Sequence, residues 1–193
     1  MRALLALLAL PLAACVTDTQ KRDAINEVNQ YFRVEYEGIL AEKGSRVYQT
    51  TPAQAVDGMR AALGRLGLRV ADQAPEIGYL NVVGPAPAPL NLDEWAVVNQ
   101  RDLPKLREIA GRHIGLLGNF IRFEPEGLEV LITSTAIPLR GGTEVSLTAR
   151  MREVAPPQSG MPRREYLPPS AVRMGLDKIW SEFERELRSA RSF

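Results

Sequence analysis

Apolar residues along the chain fall into blocks of helical spacing separated by blocks of alternation. Ile25, Val28, Phe32 and the Ile39-Leu40 pair recur near a 3.6-residue period, which predicts an amphipathic helix over residues 23–43 with Gly44 as its stop. Tyr31 and Tyr36 add aromatic surface to it. Residues 45–50, around Val47 and Tyr48, read as a short strand. Thr51 and Pro52 then open a second helix, Thr as N-cap and Pro in the first turn. Val56, Met59, Leu63 and Leu66 form its stripe and Gly67 ends it. Gly58 inside this helix costs about 1 kcal/mol relative to Ala, which points to close packing against a neighbour. Residues 68–71 and 77–83 are strand candidates around a turn at Pro75.

The run Gly84-Pro85-Ala86-Pro87-Ala88-Pro89 lacks amide donors at alternate positions, so neither a central strand nor a helix forms there. It reads as a stiff connector opening a polar insert over 84–100 that carries Asp93, Glu94 and Trp95. A helix over 103–112 follows, with Asp102 as its cap and Pro104 in its first turn. Residues 120–123, 128–137 and 143–154 predict three antiparallel strands, joined by turns at Pro125-Glu126-Gly127 and Gly141-Gly142. In the last of them Val145, Leu147, Ala149 and Met151 alternate with Glu144, Ser146, Thr148, Arg150 and Arg152, so one face is buried and the other wet. Five prolines in 155–169 mark a loop, and a closing helix over 170–190 is built on Val172, Leu176, Ile179, Phe183 and Leu187.

The resulting order after the first helix is β-α-β-β, insert, β-β-β-α. Helices interrupting antiparallel strands predict an α+β fold, a two-layer sandwich with a mainly antiparallel sheet and helices on one face. Residues 45–193 are read as a single α+β domain, with residues 15–44 as a leading helix that either packs on it or serves as a stalk.

The N-terminus carries the most specific motif. Met1-Arg2 is followed by an apolar run from Ala3 to Leu10 and then Pro11-Leu12-Ala13-Ala14-Cys15, the parts of an export signal and too short to span a bilayer. Leu12-Ala13-Ala14-Cys15 resembles the lipobox of bacterial lipoproteins. That resemblance implies removal of residues 1–14, a diacylglycerol thioether on Cys15 and a palmitate-type acyl group on the new amino terminus. Two or more acyl chains anchor stably where a single one does not. Val16 is not the Asp that retains such proteins in the inner membrane, so the resemblance places Cys15 in the outer membrane of a Gram-negative bacterium, with the chain facing the periplasm. The segment Val47–Val83 is also similar in pattern to the β-α-β-β start of periplasmic domains of the barrel-assembly accessory lipoprotein type, with an Ala-Leu…Leu-Gly helix end leading into a strand.

Candidate chemistry is thin. His113 is the one histidine, falls on the apolar stripe of its helix, and has neither a second His nor a free Cys with which to hold a metal. Catalytic use of His113 requires a nearby Ser or carboxylate, which spacing does not supply. Asp93-Glu94 and Glu124, Glu126 and Glu129 are the acids that glycan cleavage would need as a facing pair; the second set surrounds a turn where acids are ordinarily solvated. No nucleophile elbow, phosphate loop or dinucleotide fingerprint occurs. No cofactor, metal site or catalytic residue is predicted, and the reading is non-enzymatic.

Composition narrows the partners. The chain has 193 residues with 24 Lys+Arg and 23 Asp+Glu, and removal of the signal leaves 179 residues with no net charge. That balance offers nothing to attract nucleic acid, and 45% hydrophobic content excludes a largely disordered chain. Arg163 and Arg164 in the proline loop, with Arg150 and Arg152, make a local basic patch or plain solvated surface. Trp95 is either a contact anchor on an irregular loop or a lid folded over the sheet. Three functions follow in order. The first is a membrane-anchored envelope module that binds a protein partner, with Trp95, Arg163 and Arg164 as contact candidates. The second is a carrier of a small ligand or lipid in a cavity of a few hundred Å³ between sheet and closing helix. The third is a cell-wall hydrolase using His113 or an acid pair.

Overall fold

A computed structural model describes residues 16–155, 160–161 and 168–190. The elements are α1 (Asp18–Lys43), β1 (Ser45–Tyr48), α2 (Pro52–Arg65), β2 (Arg69–Ala74), β3 (Tyr79–Pro85), α3 (Leu92–Ile114), β4 (Leu128–Leu139), β5 (Gly142–Glu153) and α4 (Pro169–Ala190). Short 3₁₀ turns cover Pro75–Ile77 and Gly115–Phe120. The five strands form one sheet in the order β1-β5-β4-β3-β2, every neighbouring pair antiparallel. The fold is α+β, a two-layer sandwich.

Alternation along the strands decides which face is covered. Val130, Ile132 and Ala136 of β4, Val145 and Leu147 of β5, and Leu80 and Val82 of β3 are buried on the inner face. Against them pack Val56, Met59 and Leu63 of α2 and Leu176, Ile179, Trp180 and Phe183 of α4. The helices nest because Gly58 leaves room: a β-carbon there would lie 3.2 Å from the Phe183 ring. Thr51 caps α2 as expected, accepting from Gln54 N–H while the Gln54 side chain accepts from Thr51 N–H.

Helix α1 packs on the sandwich. Ile39 belongs to the main core, Lys43 pairs with Asp177 of α4 at 2.7 Å, and Glu42 accepts from Arg173 at 2.8 Å. Helix α1 then hands over to the sheet, since Leu147 N–H donates to Gly44 C=O at 2.7 Å.

Three expected elements differ. Gly84 and Pro85, read as the start of a connector, continue β3 opposite Val130 and Glu129 of β4, inside the sheet. The polar insert is helical: α3 runs unbroken from Leu92, so Trp95 and Val98 continue the buried stripe of Leu106, Ile109 and Ala110. Asn91 and Glu94 form a capping box that starts it, with Glu94 N–H donating to Asn91 Oδ1 at 2.8 Å and Asn91 N–H to Glu94 Oε2 at 2.7 Å. Pro104 lies inside α3, not in its first turn; it supplies no N–H to the carbonyl of Gln100 four residues earlier, and Gln100 is an exposed residue. Residues 120–123 are not a strand. Gly115, at φ +58°, turns the chain into the 3₁₀ segment, and the Ile121 carbonyl is taken by Arg107 (3.2 and 3.1 Å) instead of a ladder partner.

Asp102 therefore has no helix start of its own to cap. It caps α4 from outside, accepting from Ser170 N–H at 2.9 Å and Ser170 Oγ–H at 2.6 Å. Burial pushes its carboxyl above the ordinary 3.8, and the two Ser170 bonds only partly oppose this. For a raised folded value, the group's stabilising contribution is full below the ordinary value and is lost as pH rises through the raised one. Asp102→Asn keeps an acceptor without the buried charge, so it is expected to unfold at an unchanged or higher urea midpoint at pH 7. Asp102→Ala is expected to lose about 1–2 kcal/mol with the cap. An Asn variant as weak as the Ala variant at pH 7 would refute this account.

Candidate functional site

Three of the acids proposed for a facing pair, Glu94, Glu124 and Glu129, lie against a cation. Glu129 of β4 accepts from Arg152 of β5 at 2.5 Å, and these two residues are direct cross-strand partners. Glu94 accepts from Lys178 of α4 at 2.7 Å. Burial works against the charged form of Glu94, yet the Lys178 and Asn91 hydrogen bonds outweigh it and hold the carboxyl below its ordinary range. Glu124 lies 3.7 Å from Arg122 on the surface. Among the described residues no group of three or more His, Cys, Asp or Glu side chains is placed to hold a metal.

His113 meets a carboxylate after all. Its Nε2 lies 2.6 Å from Oε2 of Glu27 on α1, and the other Glu27 oxygen accepts from Arg112. The His113 hydrogen bond leads in holding the Glu27 carboxyl below its ordinary range, and Arg112 adds to it. One acid shared between Arg112 and His113 in the last turn of α3 makes a clasp between helices. The last turn of a helix favours a cation such as Arg112. The partner is 86 residues away in the chain, beyond what spacing can reveal.

Trp95 is buried, at 3% exposure, with its indole N–H donating to Phe123 C=O at 3.2 Å and its ring 5.1 Å from that of Phe123. It is a lid over a second small core with Leu90, Val98, Leu128 and Ala171, which takes it off the surface as a contact anchor. Cys15, Arg163 and Arg164 lie outside the described residues.

The expected space between sheet and α4 exists and is apolar. Val130, Ile132, Val172, Leu176 and Ile179 line it, with Pro87 and Pro89 at its mouth. Its volume is about 40 Å³, whereas an engineered cavity of about 150 Å³ takes a single benzene. A larger groove of about 450 Å³ runs between α2 and the end of α4, lined by Gln54, Asp57, Gly58, Glu186 and Leu187.

What sequence reading did not single out is the uncovered sheet face. Cross-strand register places Val47 of β1 opposite Glu144 of β5, and Glu144 opposite Ile137 of β4, in one row at the hairpin end. Leu139 is one step further along β4, and Ile77 flanks Gly78, whose carbonyl accepts from Ala136 N–H at 2.7 Å. All four apolar side chains are exposed, Ile77 at 75%. The middle of this face is polar: Ser45 and Ser146 hydroxyls meet at 2.8 Å, and Thr133 donates to Asn81 at 3.3 Å. Strand alternation signalled a wet face; only the register collects its apolar members at one end.

No family model matches the chain, and neither a curated protein nor a solved structure matches it significantly.

Proposed function

We propose that this protein is a non-enzymatic binding module of the bacterial cell envelope, anchored through lipid on Cys15 to the periplasmic face of the outer membrane. In this reading it presents the hairpin end of its sheet to a protein partner. The observation that carries the reading is the set of exposed apolar side chains Val47, Ile137, Leu139 and Ile77, gathered around Glu144 at the end of the sheet away from the start of α1. Phe32 of α1 packs on Phe123 near the start of β4, with ring centroids 6.4 Å apart. The hairpin lies a strand length further on, roughly 35–40 Å for the twelve residues of β4. Only three residue steps separate Cys15 from Asp18 at the start of α1, a tether of about 10 Å when extended. A short tether on a rigid helix holds one end of the domain at the bilayer and leaves the other facing outward. An uncovered apolar set at that far end is the surface a partner would desolvate. The carrier reading has no comparable support, given the small volume beneath α4.

A photo-crosslinking residue placed at Leu139 in the full chain in cells is expected to capture a discrete protein, and the same residue at Glu108 is not. Ile77→Asp together with Ile137→Asp should abolish that adduct. Cys15→Ser should move the protein from the membrane fraction to the soluble fraction. Identical adducts from both positions, or none from Leu139, would sink the binding surface; a Cys15→Ser protein that stays in the membrane fraction would sink the anchor.

A further inference from the structure

The segment Gly115–Phe120 carries a second exposed apolar set. Leu116 is 81% exposed, Leu117 52% and Phe120 77%, three large side chains within five residues. Their exposure is not the looseness of a free loop. Gly118, buried between them, lies so close to α3 that a β-carbon would come 2.7 Å from the Gly111 nitrogen and 3.2 Å from the Arg107 carbonyl oxygen. Arg107 holds the Ile121 carbonyl through two nitrogens, and Glu27 clasps Arg112 and His113 just before the turn. The glycine takes the inward position, so Leu116, Leu117 and Phe120 are held outward by a built frame.

The position of this loop identifies what it faces. Helices α1 and α3 run antiparallel: Glu27 meets His113, and Tyr31, one turn later in α1, feels the charges of Glu108 and Asp102, earlier in α3. Helix α3 therefore points its C-terminal end, and the loop with it, toward the start of α1. From Glu27 back to Asp18 is nine residues of helix, about 13 Å. The loop thus sits at the end of the domain from which the chain leads to Cys15, opposite the hairpin. Arg112 beside it and Arg122 just past it are exposed, Arg122 at 81% of its side chain.

We infer that Leu116, Leu117 and Phe120 form a second membrane contact, inserting into the phospholipid surface beside the anchor and fixing how the domain stands on the bilayer. This rests on the anchored reading proposed above. Acyl chains alone hold the domain at the surface while leaving it free to swivel. A rigid apolar wedge on the same end adds buried area at the headgroup–acyl boundary, and the exposed Arg122 just past it suits phosphate groups there. Elsewhere on a protein, three outward apolar side chains would favour association with other chains. At this end the bilayer covers them.

The test uses Asn119, exposed between these residues. Asn119→Cys in the full chain is labelled with an environment-sensitive fluorophore, Cys15 being blocked by its lipid, and bound to vesicles of phosphatidylethanolamine and phosphatidylglycerol. The expected result is blue-shifted emission that nitroxides within the acyl region quench. Combining Leu116→Ser, Leu117→Ser and Phe120→Ser, all at exposed positions, should return the emission to its aqueous value while the protein still floats with vesicles. A label that stays aqueous on floating wild-type protein would overturn the inference and leave the anchor standing. A label that shifts only when envelope proteins are added would also overturn it, assigning the loop to a protein partner. If mass measurement finds no lipid on Cys15 and the protein does not float, the anchor reading fails on its own. The loop is then judged on the unanchored chain at excess vesicles, a shift supporting it and no shift overturning it.

Discussion

Replacing Trp180 by Ala is expected to lower stability by about 3–5 kcal/mol, a large share of the 5–15 kcal/mol typical of a folded domain. Trp180 is fully buried on α4 and joins three elements at once. Its indole N–H donates to the Lys43 carbonyl at the end of α1 (2.8 Å), its ring lies 6.1 Å from Tyr48 of β1 and 6.2 Å from Phe183, and the Arg46 guanidinium sits 5.1 Å over it. Burial also pushes the Tyr48 hydroxyl up to about 12, so that ring stays neutral at any working pH. Truncation opens a cavity that these neighbours, fixed in helix and sheet, cannot fill. At about 2–4 °C per kcal/mol for a domain of this size, the melting temperature should fall by roughly 6–20 °C. Trp180→Phe keeps most of the volume and loses the hydrogen bond, so its midpoint should lie between those of wild type and Trp180→Ala. Denaturant unfolding of the three proteins orders them. An Ala variant within about 1 kcal/mol of wild type, against the 3–5 expected for such a truncation, would show that the joint is not what holds α1 and β1 to α4.

Two glycines with similar backbone angles are expected to respond differently to Ala. Gly67 has φ +84° and Gly78 has φ +73°, a region that costs a side chain about 1–2 kcal/mol. A β-carbon on Gly67 meets open space, so Gly67→Ala should cost only that amount. On Gly78 it would lie 2.0 Å from the Ala136 carbonyl oxygen. That oxygen belongs to β4, which is paired on both sides and cannot retreat. Adding an overpacking cost of about 1–3 kcal/mol gives roughly 2–5 kcal/mol for Gly78→Ala. Equal losses in the two variants, measured by urea unfolding, would rule out the clash. Gly78 also positions Ile77, so the same substitution should weaken the hairpin-end crosslink from Leu139.

The candidate surfaces were legible in the sequence only in part. His113 stood out as a lone histidine, but its carboxylate comes from Glu27 on another helix, and nothing local announces that pairing. Trp95 drew attention as an aromatic in a polar stretch. The capping box of Asn91 and Glu94 was the signal that this stretch is helical, and helical phase then turns Trp95 inward. Asp102 has the residue type of a helix cap, and it is one, for a helix 68 residues later in the chain. The hairpin-end set of Val47, Ile137, Leu139 and Ile77 comes from two strands and a turn that are far apart in sequence, so it exists only once β1 and β4 are each in register with β5. Of the wedge of Leu116, Leu117 and Phe120, only Phe120 falls in an element read from the sequence, the strand over 120–123, because exposure is not a property of residue order.

Local chemistry by itself determined α2 and α4, the β4–β5 hairpin and the α+β class. Helical period, Thr51-Pro52, Gly141-Gly142 and strict alternation act over a few residues and need no distant partner. Tertiary structure alone decided the strand order β1-β5-β4-β3-β2, the packing of α1 on the sandwich, and which apolar side chains remain in water. The physical reason is range. Caps, turns and periodicity are settled by neighbours in the chain, whereas burial, the pairing of β1 with β5 and hydrogen bonds between helices depend on segments far apart in sequence, as Glu27 and His113 are, 86 residues apart.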